Sequence, residues 1–225
     1  MTENVEKKKG QAAGIAIGAM IVLFLVSWIG IPFMYQVCDD KYLMQFASGQ
    51  FLGEPSDYMI HIRFPISYLY SFLYKICSGV DWYGTIMIAM QFACLTLLVY
   101  KLLTKLESTK TRVFVTVLLY GLVCSIWITE IVSITYTTSA AFLGLTAIVW
   151  YVISDKKLKD YIFCAVLMVI CYNIRYETLY MVLSFAAVIW LYDFIVSEKK
   201  KAPILFLFGV LFGLLAAFPF QLCLL

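Results

Sequence analysis

The sequence predicts an all-α polytopic transmembrane bundle of about seven spans, folded as one integral membrane domain over residues 1–225. Three observations predict it. The 225 residues are 63% hydrophobic and only 14% charged, where ordinary soluble domains are about a quarter charged. Apolar runs near 13–35, 82–104, 113–133, 136–154, 160–175, 178–196 and 203–225 approach the ~20 residues that cross a bilayer. The basic residues alternate between those runs. One side collects Lys7–Lys9, then Lys101, Lys105, Lys110 and Arg112, then Lys156, Lys157 and Lys159, then Lys199–Lys201. The other side keeps Lys41, Arg63, Lys75 and Arg175. Helices follow, because they satisfy their own backbone hydrogen bonds in lipid without closing a barrel. The charge asymmetry predicts a cytoplasmic N-terminus and an outer C-terminus.

Residues 1–12 read as a cytoplasmic tail ending in the lysines that precede the first span, 13–35. That apolar run, from about Gln11 to Tyr35, is longer than a signal-peptide core and lacks an A-x-A cleavage site, so a retained signal anchor is expected. Gly14 and Gly18 match a small-xxx-small packing pattern. The outer loop, 36–81, carries its own periodicity. Tyr42, Leu43, Phe46 and Ala47 recur at helical spacing before Gly49, which reads as a stop. Gly53 to Asp57 is turn chemistry. Pro65 suits a helix start, with Ile66, Leu69, Tyr70, Leu73 and Cys77 on one face and Ser67, Ser71, Lys75 and Ser78 on the other. Both stretches, near 40–48 and 65–78, read as short amphipathic helices lying in the outer interface. Asp81 caps the next span, with Trp82 and Tyr83 in the aromatic belt.

The remaining chain, 82–225, reads as six further spans. The run at 160–175 is short, and only Asn173 to Glu177 separates it from its successor. Of the seven cysteines, Cys94, Cys124, Cys164 and Cys223 lie inside apolar runs and read as small hydrophobes. Cys38 and Cys77 share the outer loop; they read as two free thiols, with a disulfide as the alternative.

Chemistry is expected where ionisable groups gather at the outer ends of the spans. Asp39 and Asp40 stand just past the first span. Adjacent carboxylates do not ionise independently, so one is expected to titrate near neutral pH and act as a general base; a divalent metal ligand or a helix N-cap are the other readings. Arg175 interrupts an apolar stretch and suits an anionic phosphate; the alternatives are an ion pair with Glu177 or Glu130, or snorkelling to the surface. His61 and Arg63 in the outer loop could meet the same phosphate, or simply be solvated. Glu130, beside Thr129 and Ser133, could be only a polar helix end. The chain has no P-loop, G-x-S-x-G, H-E-x-x-H or zinc-spaced Cys/His cluster. One histidine argues against a Ser-His-Asp triad. The lysines form short clusters without a basic face, so no nucleic-acid partner is expected.

A first span followed at once by Asp39-Asp40, then a loop of two short interfacial helices through Ser48–Gly53 to Trp82-Tyr83, then further spans, resembles the GT-C superfamily of membrane glycosyltransferases. The segment Asn173-Ile174-Arg175-Tyr176-Glu177 is similar to an Arg-containing stretch that such proteins carry between later spans. The resemblance implies a polyprenyl-phosphate-linked sugar as donor, a bacterial plasma membrane as location, and an acidic residue of the first outer loop as base or metal ligand. The resemblance covers Asp39 and Asp40 as catalytic and the segment holding Arg175 and Glu177; on the residue reading, Arg175, Arg63, His61, Glu177 and Glu130 are the groups expected to meet the substrate. It also implies more chain beyond the seventh span, leaving a fragment, a truncated paralogue or a module that needs a membrane-protein partner all open. The alternative is a non-catalytic transporter or assembly partner in envelope polysaccharide export.

Overall fold

The computed structural model describes residues 2–155, 157–196 and 204. Apart from Ile204, the seventh apolar run (203–225) lies outside the described residues, as do Lys156 and Lys199–Lys201. Most of the described chain is helix. The order is α1 (Thr2–Gly30), β1 (Met34–Tyr35), α2 (Cys38–Ser48), α3 (Ile66–Ile76), α4 (Trp82–Leu103), α5 (Thr109–Leu122), a π-helical turn (Val123–Trp127), α6 (Ile128–Val132), β2 (Ser133–Ile134), α7 (Tyr136–Ile153), α8 (Leu158–Ile174) and α9 (Tyr176–Val196). Five of these stretches are long and apolar enough to cross a membrane: Glu6–Gly30, Trp82–Leu103, Thr109–Ile126, Tyr136–Ile153 and Tyr176–Val196. Large apolar side chains such as Ile21, Val22, Phe114, Val117, Phe185 and Val188 are bare on the outside of the bundle. Together they fit an integral membrane protein.

α7 is the centre, packed against α8, α4 and α9, while α1 lies on α4 and α5. At Gly144 a side chain would meet the Val182 methyls at 2.5 Å, so α7 and α9 touch there with no room for a Cβ. Gln91, buried within α4, donates to the Ser133 carbonyl (3.3 Å) and the Ser139 hydroxyl (3.1 Å), joining α4 to the start of α7. Among the described residues, Arg112 is the largest wholly buried side chain. Its guanidinium donates to the Leu106 carbonyl from Nε and Nη2 (3.1 and 2.8 Å) and to the Lys8 carbonyl from Nη1 (3.0 Å), fastening the first turns of α1 to the α4–α5 connection.

α8 is 17 residues long, about 25 Å at 1.5 Å per residue. It nonetheless runs the height of α7: Lys159 and Asp160 lie beside Lys101 at one end, and Arg175 contacts the first residues of α7 at the other. The basic clusters within the described residues share that first end, since Lys9, Lys101, Lys105, Lys157 and Lys159 line one cavity.

Several expectations need correction. The first helix stops at Gly30, not at residue 35. Pro32 disfavours helical backbone at Ile31 and has no N–H to continue the ladder, so the chain leaves extended. Met34 and Tyr35 then pair in parallel with Ser133 and Ile134, a contact the sequence did not suggest. The run 113–133 belongs to a helix that starts earlier, at Thr109, turns through the π-helical segment and ends at Val132. The loop helices form where expected, with Gly49 closing α2 at φ 81° and Asp81 capping α4 through the Gly84 N–H. The burial of α3 is the reverse of an aqueous amphipath. Ser67, Tyr70, Ser71 and Tyr74 face the protein, while Leu69, Phe72 and Ile76 face out. Cys38 and Cys77 are free thiols.

Candidate functional site

The short β1–β2 pair places the carboxylates. Holding Met34 and Tyr35 beside Ser133 and Ile134 brings the start of α2 against the start of α7, across about a hundred residues of chain. Because α2 begins at Cys38, Asp39 and Asp40 lie in its first turn and Val37 occupies the cap position. The N-cap reading therefore fails for their own helix. Asp40 serves a different one. Its Oδ1 accepts from the Tyr136 N–H (2.9 Å), an amide with no partner inside α7, and from the Tyr83 hydroxyl (2.7 Å) on α4. An acidic group at a helix N-terminus also meets the positive end of the helix dipole.

Asp40 is 0% exposed, whereas Asp39 is exposed. Burial pushes the Asp40 carboxyl above its ordinary value, and the donors from Tyr83, Tyr136 and Thr135 offset only part of that rise. A single divalent ion would need both carboxylates to face one point. With Asp39 in solvent and Asp40 enclosed, the pair does not fit that role, and no group of three or more His, Cys, Asp or Glu gathers as a metal site among the described residues.

Around Tyr136 the other expected residues assemble. His61 stacks on its ring at 5.2 Å and 8°. The Arg175 guanidinium lies 5.0 Å from the same ring, and its Nη1 donates to the Thr137 hydroxyl. Arg175 also faces Glu177, with Nε 3.8 Å from Oε2, in a pair that stays partly exposed at 31% and 45%. Such a pair contributes little by itself. Arg63 sits between the rings of Tyr172 and Tyr176, at 4.8 and 4.5 Å, and donates to the Tyr172 hydroxyl at 2.6 Å. Its backbone N–H reaches the Asn173 carbonyl (2.7 Å), so the loop is tied to the α8–α9 turn. Asp39, Asp40, Arg175 and Glu177 all act electrostatically on Tyr136.

Glu130 stands apart from this cluster. It lines a cleft of about 310 Å³ with Thr137, Thr138, Ala141, Phe142 and Leu145. Asp39, Asp40 and Arg175 are not on that lining; Thr137, the partner of Arg175, is the link between cluster and cleft.

Sequence reasoning missed Tyr136 as the pivot and missed a second carboxylate node. Asp81 does more than cap α4: its Oδ2 accepts from the Tyr35 hydroxyl and its Oδ1 from the Tyr74 hydroxyl (2.9 Å). Tyr74 in turn receives the Tyr83 N–H (3.1 Å), and the Tyr70 ring lies 5.3 Å from that of Tyr83. Burial first, and the Asp81 charge with it, raises the Tyr35 and Tyr74 hydroxyls above the ordinary phenol range. A network of tyrosines thus joins β1, α3 and α4 beneath Asp40. The signal available for it was the density of tyrosine near Asp81, which reads equally well as an interfacial belt.

Comparison with protein-family models, with curated proteins and with solved structures finds no match for this chain.

Proposed function

We propose that the chain is a glycosyltransferase of the GT-C type, taking its sugar from a polyprenyl-phosphate donor at the outer leaflet of a bacterial plasma membrane. In this reading α8 is a further span, residues 203–225 supply a seventh, the N-terminus is cytoplasmic and the C-terminus lies outside. α2 and α3 rest at the outer interface, a position supported by the apolar outward face of α3.

The observation that carries the reading is the company of Tyr136: a carboxylate pair, a histidine, an arginine and a glutamate from three separate segments gather around one helix N-terminus. The carboxylates divide the work. Asp39 is accessible and takes the proton of the acceptor hydroxyl. Asp40 positions it, by fixing α2 to α4 and α7. As the acceptor oxygen bonds to the anomeric carbon, the bond from that carbon to the donor phosphate oxygen breaks, and the electron pair leaves with the polyprenyl phosphate. Arg175, with Arg63 behind it, meets the phosphate charge. The apolar cleft beside Thr137 and Phe142 is a place for the first part of the lipid tail.

The test is turnover of a labelled polyprenyl-phosphate sugar by the purified chain. Asp39→Asn should lower the rate by roughly 10²–10⁴-fold with donor binding retained. Arg175→Ala should weaken donor binding instead. A second reading, the non-catalytic assembly partner or transporter, is favoured by one fact: Asp40 Oδ1 is engaged as a structural tie to Tyr83 and Tyr136. Unchanged turnover in Asp39→Asn would refute Asp39 as the base, and no turnover in the wild type with any polyprenyl-phosphate sugar would select the second reading.

A further inference from the structure

At the opposite end of the bundle from Asp40 lies a cavity of about 450 Å³. Tyr83, which binds Asp40, and Lys101, which lines this cavity, are both on α4. Eighteen residues separate them, about 27 Å along the axis. Five lysines line the cavity from three separate parts of the chain: Lys9 of α1, Lys101 and Lys105 at the end of α4, and Lys157 and Lys159 around the start of α8. Two carboxylates line it with them. Asp155 pairs with Lys105 at 3.2 Å, and Asp160 with Lys101 at 3.7 Å. Five positive charges against two negative leave a surplus of three on this lining.

The cavity is built rather than a chance of surface lysines. Lys101 is only 14% exposed and lies 4.3 Å over the Trp150 ring, whose Nε1 donates to Asp160 at 3.0 Å. Asp160 also accepts from the Lys157 N–H at 3.2 Å, so the start of α8 is held in register with Trp150. Phe163 packs on Trp150 at 4.5 Å, and Tyr100 lines the same wall. One wall is therefore aromatic and the rim cationic. That combination suits an amphiphile whose anionic group sits among ammonium groups and whose apolar part follows the helices.

We infer that this cavity binds a phosphate-bearing anion, with the headgroup of an anionic lipid or free phosphate as its two sources. It is independent of the glycosyl-transfer reading, which uses the other end of the molecule.

The experiment is native mass spectrometry of the full chain in detergent, with dioleoyl phosphatidylglycerol and dioleoyl phosphatidylcholine added in equal amounts, and Trp150 fluorescence followed in parallel during titration with inorganic phosphate. The expected result is retention of phosphatidylglycerol over phosphatidylcholine. The triple variant Lys9→Gln, Lys157→Gln, Lys159→Gln should lose that preference by about a hundredfold, at roughly fivefold per lysine. The pair Lys41→Gln, Lys75→Gln, outside this cavity, should keep it. A fluorescence change with inorganic phosphate that vanishes in Trp150→Phe, without lipid preference, identifies the source as soluble phosphate. Equal retention of both lipids with no response to phosphate overturns the inference in the wild type alone. Undiminished phosphatidylglycerol preference in the folded triple variant does the same.

Discussion

Asp40→Ala should cost the protein a large part of its stability, and the structure says how much. The substitution removes the acceptor for two donors, the Tyr83 hydroxyl at 2.7 Å and the Tyr136 N–H at 2.9 Å, both on buried residues. Each buried donor left unmade costs about 1–3 kcal/mol, so the loss should fall at about 2–6 kcal/mol. Asp40→Asn keeps an acceptor of the same shape and should lose less than about 1.5 kcal/mol. The two variants also separate by pH. The folded state raises the Asp40 carboxyl above its ordinary value of 3.8, so it holds the proton where the unfolded chain has released it. Wild-type stability relative to Asp40→Asn should therefore be greatest below the ordinary value, fall as pH rises through the window above it, and level off beyond the folded value. Chemical unfolding of the purified chain in detergent between about pH 3.5 and 8 measures both effects. An Asp40→Ala variant within about 0.5 kcal/mol of wild type would refute the tie between α2, α4 and α7. A stability difference that grows with pH would refute the burial argument.

At Gly144, valine would drive a Cβ into the stiff Val182 side chain, so Gly144→Val should destabilise by about 1–3 kcal/mol, while Gly121→Val, with nothing within 4 Å, should change thermal unfolding much less. Arg112→Ala should loosen the start of α1, read as faster proteolysis near Lys8, and Arg112→Lys should not rescue it because one ammonium cannot serve two carbonyls in a fork. In a cysteine-free background, a cysteine at Ser56 should be labelled from outside intact cells and one at Ser108 only after permeabilisation; the opposite pattern would invert the proposed topology.

The helices were legible because their signals are local. Gly49 closes α2 in the left-handed region, and any side chain there would also strike the Glu54–Pro55 backbone at 2.4–2.8 Å. Asp81 caps α4 as its position before Trp82 suggests. The face of α3 was not legible from an aqueous rule. At the interface position proposed for α3, the apolar residues Leu69, Phe72 and Ile76 gain nothing by turning inward, and the serines pack where small side chains let helices approach. The two-residue β pair was invisible for another reason: its register joins residue 34 to residue 133 and carries no periodicity. That register alone selects Tyr136 as the neighbour of Asp40, so the pivot of the cluster could not be named from sequence even though most of its members could.

The division between Asp39 and Asp40 follows from helix geometry once their place in α2 is known. Successive residues on an α-helix point about 100° apart, so the two adjacent carboxylates of α2 are aimed in different directions. Leu43 and Ala47, three and seven residues after Asp40, mark the buried stripe, and Asp40 falls on it. Asp39 is thereby left on the solvent side. An extended Asp-Asp segment would instead alternate by 180° and an irregular one could pinch both oxygens onto a single ion. Because α2 is helical, the pair acts as two unlike groups: one dry carboxylate that ties three helices, and one wet carboxylate exposed at the surface those helices hold in place.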